Sequence, residues 1–150
     1  MITKIEIQGY RLLNGFVADF RPLTVVIGAN AVGKSTLLDC LPLIAQCADS
    51  PLNTAIGWHW GLPSLLNAST GENKLGWKIT FEKPGNSFWS RLPLDDDQKL
   101  YYDVSLQGDV QGQVQALYEV LRKPEPAPGY SEAFKYLEAT PHRRRIYSRE

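Results

Sequence analysis

Apolar and polar residues alternate from the first position. Thr3, Ile5 and Ile7 form the more apolar side of a run whose other side carries Lys4, Glu6 and Gln8, and Gly9 ends it; this period of two predicts a strand. A second short strand is expected at Phe16–Phe20, with Phe16, Ala18 and Phe20 facing one way before Arg21-Pro22 breaks the run. The apolar, β-branched stretch Leu23–Ile27 predicts a third, buried strand. From Lys34 the period becomes helical, with Leu37, Leu38, Leu41, Ile44 and Ala48 as the apolar stripe. Pro42 removes one main-chain hydrogen bond, so a kink or an end is expected near Leu41.

Residues 49–76 shift toward Pro, Gly, Asn, Ser and Thr, a loop-rich composition with a short helical piece expected at Pro63–Asn67. Strand alternation then returns three times. Trp77, Ile79 and Phe81 share one face, as do Leu100, Tyr102, Val104 and Leu106, and Val114, Ala116, Tyr118 and Val120. Turn residues at Pro84-Gly85-Asn86 and Gln107-Gly108-Asp109 make these antiparallel neighbours. The run Pro124-Glu125-Pro126-Ala127-Pro128-Gly129 reads as a stiff connector, followed by a helix capped by Ser131, running through Glu138 and closed before Pro141. The expected organisation is a strand-and-helix core at 1–48, a loop-rich insertion at 49–76, an antiparallel β region at 77–122, and a connector, short helix and basic end at 123–150.

The chemistry concentrates between the third strand and the helix. Gly28-Ala29-Asn30-Ala31-Val32-Gly33-Lys34-Ser35-Thr36 has the form G-x-x-x-x-G-K-S, the phosphate-binding loop (Walker A) in its required strand-loop-helix setting. A triphosphate binds where main-chain N–H groups converge and a helix N-terminus adds partial positive charge. Gly28 and Gly33 supply the permissive backbone, Lys34 reaches the β- and γ-phosphates, Ser35 helps to hold magnesium, and Thr36 lies where it can contact the α-phosphate. The bland alternative is a glycine turn that merely joins strand to helix, and the flanking pattern weighs against it.

Two strands precede the loop's strand, an order unlike that of small nucleotide kinases and GTPases. The opening, with Gly9-Tyr10-Arg11 at a step between strands and Gly28–Ser35 at the loop, resembles the ATPase heads of the SMC, RecF and OLD-like branch of the ABC-type ATPases, among them predicted AAA-family members. The resemblance is specific over about the first 45 residues. It implies an α/β fold, the N-terminal lobe of a P-loop NTPase with an adjoining antiparallel sheet, binding ATP and Mg2+. It further implies that Asn30 faces the γ-phosphate, that Arg11 lies near the nucleotide, and that a second ATPase head, from a homodimer or from the remainder of the protein, closes the site. Ala31 stands where such loops usually carry glycine, and Val32 is bulkier than their usual small residue.

The Asp-Glu strand and signature segment that the family uses for hydrolysis have no counterpart here. Leu100-Tyr101-Tyr102-Asp103 lacks the following Glu, and Leu106-Gln107-Gly108-Asp109 sits at a hairpin; both read as sheet and turn. The expectation is half of an ATPase head, either a fragment or a short subunit completed by another chain, inactive by itself. Two other classes stay open: a stand-alone P-loop phosphotransferase, and an interaction module that keeps a vestigial loop.

Composition changes this picture little. Lys and Arg total 16 and Asp and Glu 16, so no global charge draws the chain to nucleic acid or membrane; nucleic-acid binding is open only through the whole protein. Cys40 and Cys47 are separated by roughly 10 Å along a continuous helix, too far for a disulfide. With no leader-like or membrane-length block, a cytoplasmic protein is expected. Two roles stand for Trp58-His59-Trp60: base stacking, or, favoured, core packing or a partner interface. Asp95-Asp96-Asp97 reads as a solvated turn rather than a metal cluster. His142-Arg143-Arg144-Arg145 is the one basic cluster, and a charge-guarded strand edge or solvated patch is favoured there over a nucleic-acid contact.

Overall fold

The computed structural model describes residues 1–82 and 99–147. Their framework is a seven-stranded sheet: β1 (Ile2–Gln8), β2 (Phe16–Asp19), β3 (Lys74–Glu82), β4 (Lys99–Gly108), β5 (Val114–Arg122), β6 (Lys135–Thr140) and β7 (Arg143–Ile146), in spatial order β2-β1-β3-β4-β5-β6-β7. Every described pairing is antiparallel. Two helices, α1 (Lys34–Asp49) and α2 (Leu52–Gly57), and a 3-10 turn at Leu62–Ser64 complete the regular structure of the described residues.

The period of two explains the layering. Ile5 and Ile7 of β1, Leu75, Trp77 and Ile79 of β3, and Val104 and Leu106 of β4 are buried on one face, and Leu37, Cys40 and Leu43 of α1 join them in one core with Ile56, Leu62 and Leu65. The opposite face carries Lys4, Glu6, Lys78 and Asp103; a Lys4–Glu6 ion pair at 2.7 Å and a Lys78–Asp103 pair at 3.8 Å lie on it. Gly76 in mid-strand has a steric reason: a Cβ there would stand 2.6 Å from the Val104 carbonyl oxygen.

Several expectations are corrected. Leu23–Ile27 forms no strand among the described ladders, and Leu23, Val25 and Ile27 are 84, 74 and 86% exposed. The chain leaves the sheet just before it: the Phe20 N–H donates to the Thr3 carbonyl at 2.8 Å, and the Arg21 N–H donates to Thr24 Oγ1 at 2.9 Å, closing a turn. Beyond that turn no described strand lies in register with the run. α1 does not end at Leu41; it continues past Pro42 to Asp49. Pro42 and Leu38, whose carbonyl loses its helical donor, are both exposed, so water can serve that carbonyl. The buried stripe is Leu37, Cys40 and Leu43, flanked by half-buried Leu41, Ile44 and Cys47, while Leu38 and Ala48 face out.

Within β5 a bulge moves the faces. Ser105 pairs with Tyr118 but Leu106 pairs with Ala116, so Leu117 is the extra residue. Val114 and Ala116 therefore share the core face with Glu119 and Leu121, not with Tyr118 and Val120. The helix expected from Ser131 to Glu138 is absent: Lys135–Thr140 is strand β6, laid against β5 and β7. Phe134 and Tyr136 meet edge to face at 4.9 Å between ring centroids, and the ladder overrides the local helical signal. The helix expected at Pro63–Asn67 reduces to the 3-10 turn, and α2 falls in the stretch read as loop. The turn at Pro84-Gly85-Asn86 and the cluster Asp95-Asp96-Asp97 lie outside the described residues.

Replacing Gly76 by alanine puts a methyl group against main chain that has no free rotamer to yield. We expect Gly76→Ala to destabilise the chain by about 1–3 kcal/mol, read as a lower denaturant midpoint with an unchanged slope.

Candidate phosphate-binding site

The residues expected to bind phosphate lie together at the N-terminus of α1. Gly33 caps the helix in a left-handed conformation, φ 101°, without a side-chain cap. The first helical bond runs from the Leu37 N–H to the Gly33 carbonyl at 2.9 Å. The N–H groups of Lys34, Ser35 and Thr36 therefore have no acceptor within the helix, and no acidic residue sits in its first turn. Lys34 folds back over the loop, its Nζ donating to the Gly28 carbonyl at 2.7 Å and to the Ala29 carbonyl. Ser35 is exposed and Thr36 half-buried, and Ala29 through Val32 are exposed.

Ala31 carries the cost of its sequence. Its φ is 62°, the left-handed region that a Cβ disfavours. This is the position at which the resembling loops have glycine.

The Gly9-Tyr10-Arg11 step is built against this loop. Gly9, at φ 70°, could not hold a side chain, because a Cβ would lie 2.4 Å from the Lys74 carbonyl oxygen. Tyr10 and Leu13 exchange main-chain hydrogen bonds at 2.9 and 2.6 Å. That turn delivers Leu13 to the loop: a Cβ on Gly33 would stand 3.1 Å from Leu13 Cδ2. Arg11, itself at φ 43°, is fixed through its N–H on the Leu65 carbonyl at 2.8 Å, and its guanidinium pairs with Asp39 of α1 at 3.4 Å and lies 5.4 Å from the centre of the Tyr10 ring. Asn67, buried, donates to the Arg11 carbonyl at 2.5 Å. Asp39 and Asn67 escaped the sequence reading, since neither belongs to a motif and only the fold brings them to Arg11.

Tyr10 and Cys40 are buried in the core, and Cys47, near the far end of α1, is half-buried. Burial pushes the Tyr10 hydroxyl up to about 12, the Cys40 thiol up to about 12 and the Cys47 thiol up to about 11. Both cysteines are free thiols. Trp58 and Trp60 are 60 and 92% exposed, so they are not core residues; between them His59 Nε2 lies 2.8 Å from Gln46 Oε1 of α1. Among the described residues no group of His, Cys, Asp and Glu could hold a metal by itself, and no helix is long and apolar enough to cross a membrane.

Comparison with known proteins agrees with the resemblance carried by the opening. The AAA ATPase domain family matches residues 1–102, more than half of the chain, and the chain belongs to that family. The DNA repair protein RAD50 of Arabidopsis thaliana is 32% identical to it over 85 residues, which is 54% of this chain and 6% of the relative. The chain is therefore short beside the curated relative it matches. Both similarities accord with the expected kinship to SMC- and RecF-like ATPases.

Two outcomes follow from this geometry. Ala31→Gly relieves the left-handed alanine, and after the entropy of an added glycine is subtracted the net gain is about 0.5–1 kcal/mol, seen as a higher denaturant midpoint. Raised thiol pKa values leave little thiolate at pH 8. Alkylation of Cys40 by iodoacetamide is therefore expected to be at least tenfold slower in the native chain than in denaturant, and equal rates in a mass-spectrometric time course would contradict this.

Proposed function

We propose that this chain is the ATP-binding N-terminal portion of an SMC/RecF/OLD-like ATPase, holding Mg-ATP through Gly28, Ala29, Asn30, Ala31, Val32, Gly33, Lys34, Ser35 and Thr36. The observation that carries this reading is the meeting of three unpaired helix N–H groups with the Lys34 ammonium at the loop. A cation resting on its own loop's carbonyls can be drawn off by phosphate oxygens, which are stronger acceptors. The released carbonyls then face water, and the N–H groups of Lys34, Ser35 and Thr36 gain anionic partners in line with the helix dipole. The Ser35 hydroxyl, exposed at the start of the helix, is the side chain suited to a hard cation. Magnesium, when bound, would neutralise charge between the β- and γ-phosphates.

Hydrolysis needs a group that orients water and a closing surface, and we assign both to residues beyond this half-site. The exposed run Leu23–Ile27 supports that assignment. It leads directly into the loop, and its apolar side chains are left in water among the described residues. Further strands, from another part of the protein or from a second head, would cover them. Localisation in the cytoplasm remains part of the proposal.

The test is a melting curve of the purified chain. Mg-ATP at about a hundred times its dissociation constant should add about 2.7 kcal/mol, and Lys34→Ala should remove the shift without lowering the melting temperature of the ligand-free chain. Turnover should be negligible in both proteins. A folded wild-type chain whose melting point no nucleotide raises would refute binding, and brisk Lys34-dependent hydrolysis would refute incompleteness.

A further inference from the structure

The far edge of the sheet from β2 presents three consecutive arginines. β7 is the outermost of the described strands there, and all four of its residues are exposed. The Tyr147 N–H donates to the Tyr136 carbonyl at 3.0 Å, and the same register pairs Glu138 with Arg145 and Thr140 with Arg143. Hydrogen-bonded pairs alternate along an antiparallel ladder. The main-chain groups of Arg143 and Arg145 thus turn inward to β6, and those of Arg144 and Ile146 turn outward. Side chains alternate across the sheet as well, placing Arg143 and Arg145 on the open face and Arg144 and Ile146 on the core face.

The carboxylates closest in register are engaged by other groups. Glu138, opposite Arg145, takes Lys135 Nζ at 2.8 Å and the Tyr147 hydroxyl at 3.2 Å; these two, with Arg145 nearby, hold its carboxyl below the usual range. Glu119, on the face of Arg144, accepts the Tyr102 hydroxyl at 2.8 Å. Among the described residues no carboxylate forms an ion pair with Arg143, Arg144 or Arg145. Ile146, in line with Arg144, is 76% exposed.

We propose that this edge docks an acidic, extended polypeptide segment, which adds to the sheet as a further strand. Its main chain would pair with the outward N–H and C=O groups of Arg144 and Ile146. Carboxylates on its two faces would meet Arg144 on one side and Arg143 and Arg145 on the other, and an apolar side chain would cover Ile146. The same charges exclude a second copy of β7, since its arginines would lie opposite these. Nucleic acid is the poorer fit: phosphate offers acceptors only, so the outward carbonyls would stay unpaired and Ile146 uncovered.

The experiment uses the full chain and a fluorescent peptide of about ten residues that alternates Asp or Glu with Val, followed by anisotropy. Saturable binding is expected, weakened about tenfold or more by Arg144→Glu, in keeping with a charge-assisted contact, and lost when alternate amides of the peptide are N-methylated. Ile146→Ser should weaken it independently, and melting curves confirm that each variant is folded; if Arg144→Glu does not fold, Arg144→Gln takes its place. Absence of binding at low salt, equal binding of the N-methylated peptide, or displacement of the peptide from this edge by a single- or double-stranded oligonucleotide that binds more tightly would overturn the proposal.

Discussion

The apolar face shared by β1, β3 and β4 has to be removed from water, and α1, together with Ile56, Leu62 and Leu65, removes it. Ile5, Ile7, Leu75, Trp77 and Ile79 offer a continuous surface, and Leu37, Cys40 and Leu43 lie on it. Each such side chain contributes about 1.5–3 kcal/mol on burial, and together they fix where α1 sits and how it is rotated. That rotation determines where the start of the helix points. Leu37 is both the first buried residue of α1 and the donor of its first helical hydrogen bond, so the position of the Lys34–Thr36 N–H groups follows from core packing rather than from the loop itself.

The Gly9–Leu13 turn ties the same core to the loop from the other side. Leu13 is buried and touches the space above Gly33, while Arg11 is held by Leu65, Asn67 and Asp39. A glycine at position 9 is required because Lys74 of β3 crosses close behind it. The sheet thus dictates the turn, and the turn sets the wall of the candidate site.

How much of this the sequence carried depended on whether a pattern was local. The period of two in β1, β3 and β4 reports a face buried by neighbours on both sides, and it was legible. β5 defeated the same reasoning, because a bulge at Leu117 changes the parity and no residue type announces it. β6 was hidden by Ser131 and Pro141, which imitate helix signals; Pro141 instead sits in the two-residue turn to β7, and the other partner, β5, lies across the connector. Pro42 carries the local signal of a helix break, but its cost falls where the freed carbonyl faces solvent, and α1 runs on. The candidate loop could be marked in the sequence because its glycines, lysine and serine are adjacent, whereas the lock on Arg11 draws on residues up to 56 positions away.

The two sides of the loop differ in how they are held. On the helix side, Gly33 and Lys34 lead into a buried, hydrogen-bonded α1. On the side that enters the loop, Leu23–Ile27 has apolar side chains in water and no ladder among the described residues. A β-branched run of this kind gains little from solvent exposure and much from pairing. Ala31, between the two sides, is held in a conformation that costs about 1–2 kcal/mol. Chain that covered the run would bury its side chains and fix the incoming backbone, and the same event would set Gly28 and Ala29 relative to Lys34. On the proposed reading, covering this run and organising the phosphate site are therefore one process, and affinity for the phosphates rises with whatever completes the sheet.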